Sequence, residues 1–520
     1  MKIRLKNLWL LPVLSGVLIG TSYIPFPPWA SVFCFIPLWI FWEQQTRLRN
    51  VILSGILSTF IFTLIGFNWV TYLLHEFAHL PWFVAVLGML LFALIAHLFV
   101  PVAGALWFLG RKAGLYTGWH SVLVMGLLTA LSLWAIPMLF KWNFGYAWYG
   151  AKVPMYHLAE YIGFSGLSML TVLINVPLYY AWRQRREKLG RTVLMRVVMV
   201  FALLNALGLS AKAFLPQPDA AFNTLLVQAN IGNAEKVAAE FGQGFYSEII
   251  NQYQRVTDQG LREHAGTDID FILWSETAFP SLLNADYQQS YYAQQLIQYI
   301  NKRKVALITG AYAKDPDTGL ITNSLFTLDK HGVVQSPYYS KTILLAFGEY
   351  IPGEEQFPAL RELLPMVGHF GRGQGPTDLL RLKDYKIGPQ VCYESLFPDF
   401  SKSLADLGAQ FIVNVTNDSW YGTWQEPYQH MVMTLARAIE IRRPLVRVTN
   451  TGISTVVLAS GEILQQSPMH QAWTGLYTVP YLVQPPVTFY QRYFQLMPSV
   501  LAGVLLLLLL NGLRGRASRV

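Results

Sequence analysis

Glu276, Lys341 and Cys392 each stand where a short run of sequence ends: Glu276 after "FILW", Lys341 after "SPYYS" and Cys392 after "IGPQV". Asn417-Asp418, after "FIVNV", is a fourth such place. Separately each has an ordinary explanation, because cysteine is among the most buried residue types and a strand-end Glu or Lys commonly faces solvent. Together they form a chemically sufficient set. A thiol with a free pKa of about 8.5 carries little thiolate at neutral pH and needs a base to become a nucleophile. Glu276 fits that base. Lys341 fits the cation that stabilises thiolate and oxyanion, and the Tyr393 backbone N–H fits a second oxyanion donor. This chemistry makes an acyl-thioester and leaves its donor and acceptor open.

The elements that would hold these residues lie in 218–485. Runs at 223–231, 270–279, 305–312, 323–329, 387–394, 411–420, 444–452 and 454–460 read as strands. Amphipathic patterns at 245–263, 287–303, 396–407 and 427–442 read as helices. Apolar strands alternating with helices predict an α/β domain with largely buried sheets, whose functional groups sit at strand ends.

The rest of the chain is different. Over 520 residues, 53% are hydrophobic and only 13% charged, about half the usual charge content. The deficit falls in 8–214 and near the C-terminus. Apolar stretches at 8–24, 28–42, 51–74, 81–109, 119–140, 157–182, 192–214 and 493–511 predict eight crossings of a bilayer, with 28–42 short. The first follows Lys2, Arg4 and Lys6 without a small-residue cleavage site, so it reads as a retained helix. Arg47, Arg49, Arg111, Lys112, the basic run from Arg183 to Arg196, and Arg514, Arg516 and Arg519 fall on the same side as those first charges; the opposite short loops carry only Lys141 and Lys152. The positive-inside rule then puts both termini in the cytoplasm and 218–485 outside it. The net charge of +9 therefore belongs to membrane loops and does not indicate a nucleic-acid partner. Cys34, in a membrane stretch, is an unsuitable disulfide partner for Cys392.

"HEFAH" (75–79) matches the zinc-protease pattern H-E-x-x-H, with His75 and His79 as ligands and Glu76 as base. It has no evident third ligand and is followed by Pro81, so it reads as a polar turn between spans.

"WSETAFP", "KTILLAFGEYIP", "VCYES" and "NDSWYG", in this order, resemble the Glu-Lys-Cys constellation of the nitrilase (carbon–nitrogen hydrolase) superfamily. With eight spans around such a domain, and with "LLVQANI", "EPYQH" and "RAIEIRRPLVRVTNTGIS", the whole chain is similar to the bacterial apolipoprotein N-acyltransferases. The resemblance implies an αββα sandwich over 218–485, a seven-helix membrane region over 1–217, and a terminal span and cytoplasmic tail over 486–520. It implies a phospholipid donor, typically phosphatidylethanolamine, whose acyl chain passes through Cys392 to the amine of a diacylglyceryl-cysteine on an apolipoprotein. Glu276 would be general base, Lys341 would stabilise the tetrahedral intermediates, and Glu349, Tyr393 and Glu394 would support them. The implied location is the bacterial inner membrane, with the catalytic domain periplasmic and no cofactor or metal.

The chain departs from the family pattern at Gly232-Asn233 (usually Pro-Gln), Val237 (usually a Trp lining substrate access), Ser275 and Ala346 (both usually Pro). None is a reacting group. The segment 358–375, "PALRELLPMVGHFGRGQG", mixes apolar residues with Gly and reads as a lipid-contacting lid that would also exclude water. The alternatives are a membrane-tethered amidase of the same chemistry, favoured by a narrow closed pocket, and a transport or scaffold protein with an inactive domain, for which intramembrane acids such as Glu160 would matter.

Overall fold

The computed structural model describes residues 8–76, 80–240, 244–365 and 367–517. Of the zinc-protease pattern, His79 lies outside them, and the described His75 turns its Nδ1 to the Leu80 carbonyl at 2.8 Å. The chain divides into two compact units, one of 1–71, 81–214 and 492–520, the other of 72–80 and 215–491.

The first unit is helical. Among the described residues, six helices are long and apolar enough to cross a membrane: Leu48–Gly66, Trp82–Lys112, Gly118–Ala135, Pro154–Arg183, Lys188–Ala213 and Leu496–Arg514. The first two apolar stretches of the sequence form the shorter helices Leu10–Gly20 and Ile36–Glu43. Pro25, Pro27 and Pro28 explain the second, because proline lacks the N–H that a continuing helix needs. The irregular backbone this leaves requires partners in an apolar setting. Asn175 supplies them, accepting from the Phe35 N–H at 3.1 Å and donating to the Ser31 carbonyl at 3.1 Å. Glu43 accepts from Tyr179 at 2.6 Å and Arg183 at 3.0 Å, and Arg111 donates to the Glu43 and Gln45 carbonyls, so two of the basic loop ends, at Arg111 and Arg183, meet beside Glu43.

The second unit holds two sheets. Their strands are β1 (Ala220–Gln228), β2 (Phe271–Trp274), β3 (Phe279–Leu282), β4 (Ala306–Lys314), β5 (Ile321–Leu328), β6 (Tyr339–Ser340), β7 (Leu380–Leu382), β8 (Tyr385–Val391), β9 (Phe411–Thr416), β10 (Leu445–Thr449), β11 (Thr455–Val457) and β12 (Trp473–Tyr481). One sheet runs β12-β1-β2-β4-β5-β6, with β3 also on β4; the other runs β11-β10-β9-β8-β7. The centres, β1-β2-β4 and β8-β9-β10, are parallel, and the edges antiparallel. The sheets face each other through aromatic side chains: Phe222 of β1 and Phe271 of β2 lie 4.3 and 6.1 Å from Phe411 of β9, centroid to centroid. Helices cover the outer faces, Tyr246–Glu263 and Tyr291–Arg303 on one sheet, Pro398–Asp406 and Glu426–Ile441 on the other. The result is an αββα sandwich.

Two departures from the sequence reading matter for function. The run 270–279 is two strands, because the Ser275 carbonyl accepts both the Ala278 and Gly310 N–H groups and Thr277 takes φ 48°. The run 387–394 leaves the sheet at Cys392, where a 3-10 turn spans Cys392–Leu396. The edge strand β12 was not expected from the pattern, since Gly475 and Pro480 interrupt it; an edge tolerates both.

Candidate active site

Glu276, Lys341 and Cys392 line one pocket and are 6%, 1% and 6% exposed. Parallel strands deliver two of them. Glu276 sits in the turn after β2, and that turn can lie against β4 because residue 310 is glycine: a Cβ there would fall 2.5 Å from the Thr277 nitrogen. Cys392 follows β8 with φ 50°, a conformation unfavourable for any residue with a Cβ. Lys341 follows the short β6, in the same sheet as β2 and facing the sheet of β8.

The charges contact each other directly. Lys341 Nζ lies 2.8 Å from Glu349 Oε1 and 3.3 Å from Glu276 Oε1. Burial disfavours the ammonium, but Glu349 and Glu276 outweigh it and hold the Lys341 pKa well above its usual value. Burial first, then the Glu276 charge, pushes the Cys392 thiol up against the opposing pull of Lys341 and a hydrogen bond from Thr416. The resting thiol therefore keeps its proton, and proton transfer has to accompany attack.

Glu394 fastens the nucleophile turn to the lysine segment. Its Oε1 accepts from Tyr339 at 2.5 Å and from the Thr342 and Ile343 N–H groups at 2.7 and 3.1 Å, while Oε2 accepts from the Val391 N–H at 2.9 Å. Burial raises its pKa to about 7 against these bonds. Glu349 Oε2 accepts from the Leu345 N–H at 2.8 Å. The Tyr393 ring meets Phe397 edge-on.

Sequence reasoning missed several groups. Asn323 of β5 donates to Glu276 Oε1 at 2.7 Å; its signal was an amide within the buried strand ITNSLFTL. Lys236 donates to the Glu276 carbonyl at 2.9 Å and to Thr277 Oγ1 at 3.2 Å, bracing the turn from behind. The neighbouring Val237 side chain lies outside the described residues. Behind Cys392, Asp418 binds Arg447 at 2.7 Å and His430 Nδ1 at 2.9 Å, and His430 Nε2 lies 3.4 Å from the Cys392 carbonyl. Asp418, Glu426 and His430 bring ligand-type atoms within 4.8 Å of one another. The Arg447 guanidinium already neutralises Asp418 there, so this cluster reads as an ion network rather than a metal centre.

The pocket over Cys392 is narrow, about 90 Å³, and Phe370 closes one side, stacked on Tyr312. Phe370 belongs to the 358–375 segment and also lines a cavity of about 840 Å³ beyond. By size alone the inner pocket suits a small amide better than a lipid.

The relationships of the whole chain point elsewhere. Residues 217–479 match the carbon-nitrogen hydrolase family, and 15–177 match the apolipoprotein N-acyltransferase N-terminal domain. An apolipoprotein N-acyltransferase of Bdellovibrio bacteriovorus is 44% identical over 92% of this chain and 89% of its own length. One from Geobacter metallireducens is 30% identical over 89% and 87%. Among solved structures, an amidase of the nitrilase superfamily from Nesterenkonia AN1 aligns with 51% of this chain and 93% of its own at 16% identity and a TM-score of 0.36. A carbon–nitrogen hydrolase domain joined to that N-terminal domain, in full-length relatives of one name, means that this chain belongs to the apolipoprotein N-acyltransferase family.

Proposed function

We propose that the chain N-acylates apolipoproteins in two half-reactions through Cys392. It is an acyltransferase of lipoprotein maturation, and the reading of its site rests on one observation: Glu276, Lys341 and Cys392 share one buried pocket, with Lys341 bridging two carboxylates. In the first step Glu276 takes the thiol proton as Sγ attacks the ester carbonyl of a phospholipid. Lys341 and the Tyr393 N–H, in the 3-10 turn that begins at Cys392, receive the oxyanion. The C–O bond breaks, Glu276 returns the proton to the departing lysophospholipid alcohol, and a thioester remains. In the second step the amine of a diacylglyceryl-cysteine attacks that thioester, Glu276 takes its proton and returns it to the leaving sulfur.

Both substrates are amphiphiles, which suits a catalytic unit carried on a membrane unit. We read the chain as a protein of the bacterial inner membrane, with eight crossings, cytoplasmic termini and a periplasmic catalytic domain over 218–485; the basic loop ends gathered around Glu43 support that orientation. The donor is read as phosphatidylethanolamine. Because the inner pocket is narrow, Phe370 and its segment have to move before a lipid ester reaches Cys392.

Mass spectrometry of the full-length protein after incubation with phosphatidylethanolamine tests this. The expected result is an acyl adduct on Cys392, absent in Cys392→Ala, discharged quickly by a diacylglyceryl peptide and slowly by water. No adduct from lipid, but one from a small amide, would overturn the reading in favour of the amidase.

A further inference from the structure

The peptide joining Cys392 to Tyr393 is trans, so its plane carries the C=O of one residue and the N–H of the next in opposite directions. The carbonyl is held from two sides. Ser395 Oγ donates to it at 2.9 Å, and His430 Nε2 lies 3.4 Å from it. Both side chains are buried, and neither lines the pocket over Cys392. The carbonyl therefore faces the sealed side of the site, and the Tyr393 N–H faces away from it.

Each of these donors is held in turn by the buried Asp418–Arg447 pair. His430 Nδ1 meets Asp418 Oδ1 at 2.9 Å. A carboxylate and a carbonyl oxygen only accept, so the ring bonds to both by carrying hydrogen on both nitrogens. On the other arm, Arg447 donates to Thr434 Oγ1 at 3.3 Å, and Thr434 Oγ1 lies 2.7 Å from Ser395 Oγ. With the Ser395 proton spent on the Cys392 carbonyl, Thr434 gives its own to Ser395. Two chains of hydrogen bonds thus run from one ion pair to one carbonyl oxygen.

We propose that His430 and Ser395 are positioning residues for acyl transfer, holding the Cys392–Tyr393 peptide so that the Tyr393 N–H is aimed at the oxyanion. Neither reaches the pocket; both act through the peptide. Cys392 takes φ 50°, and so unfavourable a conformation persists only where its surroundings fix it. A donor aimed in advance needs no reorganisation when the oxyanion forms. Hydrogen bonds to the carbonyl also polarise the peptide, which makes its N–H the stronger donor. An oxyanion forms twice per turnover, on attack at the ester and on attack at the thioester, so both half-reactions draw on this arrangement. The inference rests on the reading of Cys392 as nucleophile and of the Tyr393 N–H as oxyanion donor.

Two reactions of the same sulfur separate this role from a merely structural one. Acylation of Cys392 by phosphatidylethanolamine passes through an oxyanion. Alkylation by iodoacetamide displaces iodide at a saturated carbon and forms none. Mass spectrometry of the full-length protein in detergent follows both rates. His430→Asn keeps a donor toward Asp418 and loses the one at the carbonyl; Ser395→Ala removes the other. Each is expected to slow acylation about tenfold and the two together about a hundredfold, where deleting an oxyanion donor outright costs about a hundredfold to a thousandfold. Alkylation is expected to match the parent's in all three. Unchanged acylation in either folded variant overturns the inference, and so does an equal loss of acylation and alkylation. If His430→Asn fails to fold, Ser395→Ala decides by the same two rates. Absence of an acyl adduct on the parent's Cys392 would instead bring down the nucleophile reading, and this inference with it.

Discussion

The two sheets bring charge to the same pocket in opposite ways. From the seven-stranded side come Glu276, Lys341 and Glu349, two carboxylates sharing one ammonium beside a thiol. Their formal charges do not cancel, and all three line the pocket. From the five-stranded side come Asp418, Arg447 and His430, which are sealed behind the nucleophile. There the carboxylate meets its guanidinium at 2.7 Å with both side chains fully buried. The contrast separates two uses of buried charge. Unbalanced charge facing a cavity is available to meet charge that develops during a reaction, whereas a closed pair fixes the backbone that carries the nucleophile.

The largest effect should come from breaking the first kind. Glu276→Gln keeps the shape, keeps an oxygen for Asn323, and leaves Lys341 paired one to one with Glu349. Acyl transfer is expected to fall by about a thousandfold, the middle of the range for a general base. The thermal midpoint is not expected to fall, because a like-charge contact between carboxylates is relieved. Turnover and melting measured on the same preparation check this. A variant that lost both together would mean that Glu276 belongs to the scaffold.

Breaking the second kind should reverse the pattern. Arg447→Met leaves Asp418 buried without its cation, and also removes the donor to Asn414 Oδ1 at 2.7 Å. The expected cost is about 3–5 kcal/mol of stability, the usual result of stranding one half of a buried pair. The molecules that remain folded should still form the acyl adduct on Cys392. Chemical denaturation alongside adduct formation per folded molecule is the check, and a protein as stable as its parent would remove the distinction drawn between the two sides.

This division also explains what was legible in the sequence. Glu276, Lys341 and Cys392 are reactive types at the ends of apolar runs, so their chemistry could be read from type and place. The parallel centres of both sheets were legible for a related reason, since strands buried on both faces read as continuous apolar runs. Asn323 and Arg447 were not, because their importance lies in partners distant along the chain: Asn323 meets Glu276, and Arg447 meets Asp418. A strand pattern shows which face a residue occupies and not what the facing sheet places opposite. The membrane unit shows the same limit. Apolar length marked the stretch at 28–42 as a span, while the prolines just before it and the Asn175 side chain that serves its irregular backbone place a short helix there.

The smallest effect is the most specific to the sealed side. Burial alone would raise the Asp418 pKa, but Arg447 and His430 outweigh it and bring it from 3.8 to about 2. A carboxylate with a depressed folded pKa binds fewer protons folded than unfolded between those two values, so stability falls as pH falls through them. The contribution is complete above about pH 4, is lost progressively toward pH 2, and amounts to about 2 kcal/mol. Acid titration of stability should therefore show a step in that window which Asp418→Asn abolishes. Glu276→Gln should keep the step, because its charge lies on the other side of the pocket and has no part in the Arg447–His430 contacts. If Glu276→Gln erased the step as well, the two charge systems would be coupled through the nucleophile, and the sealed side would take part in the chemistry rather than only support it.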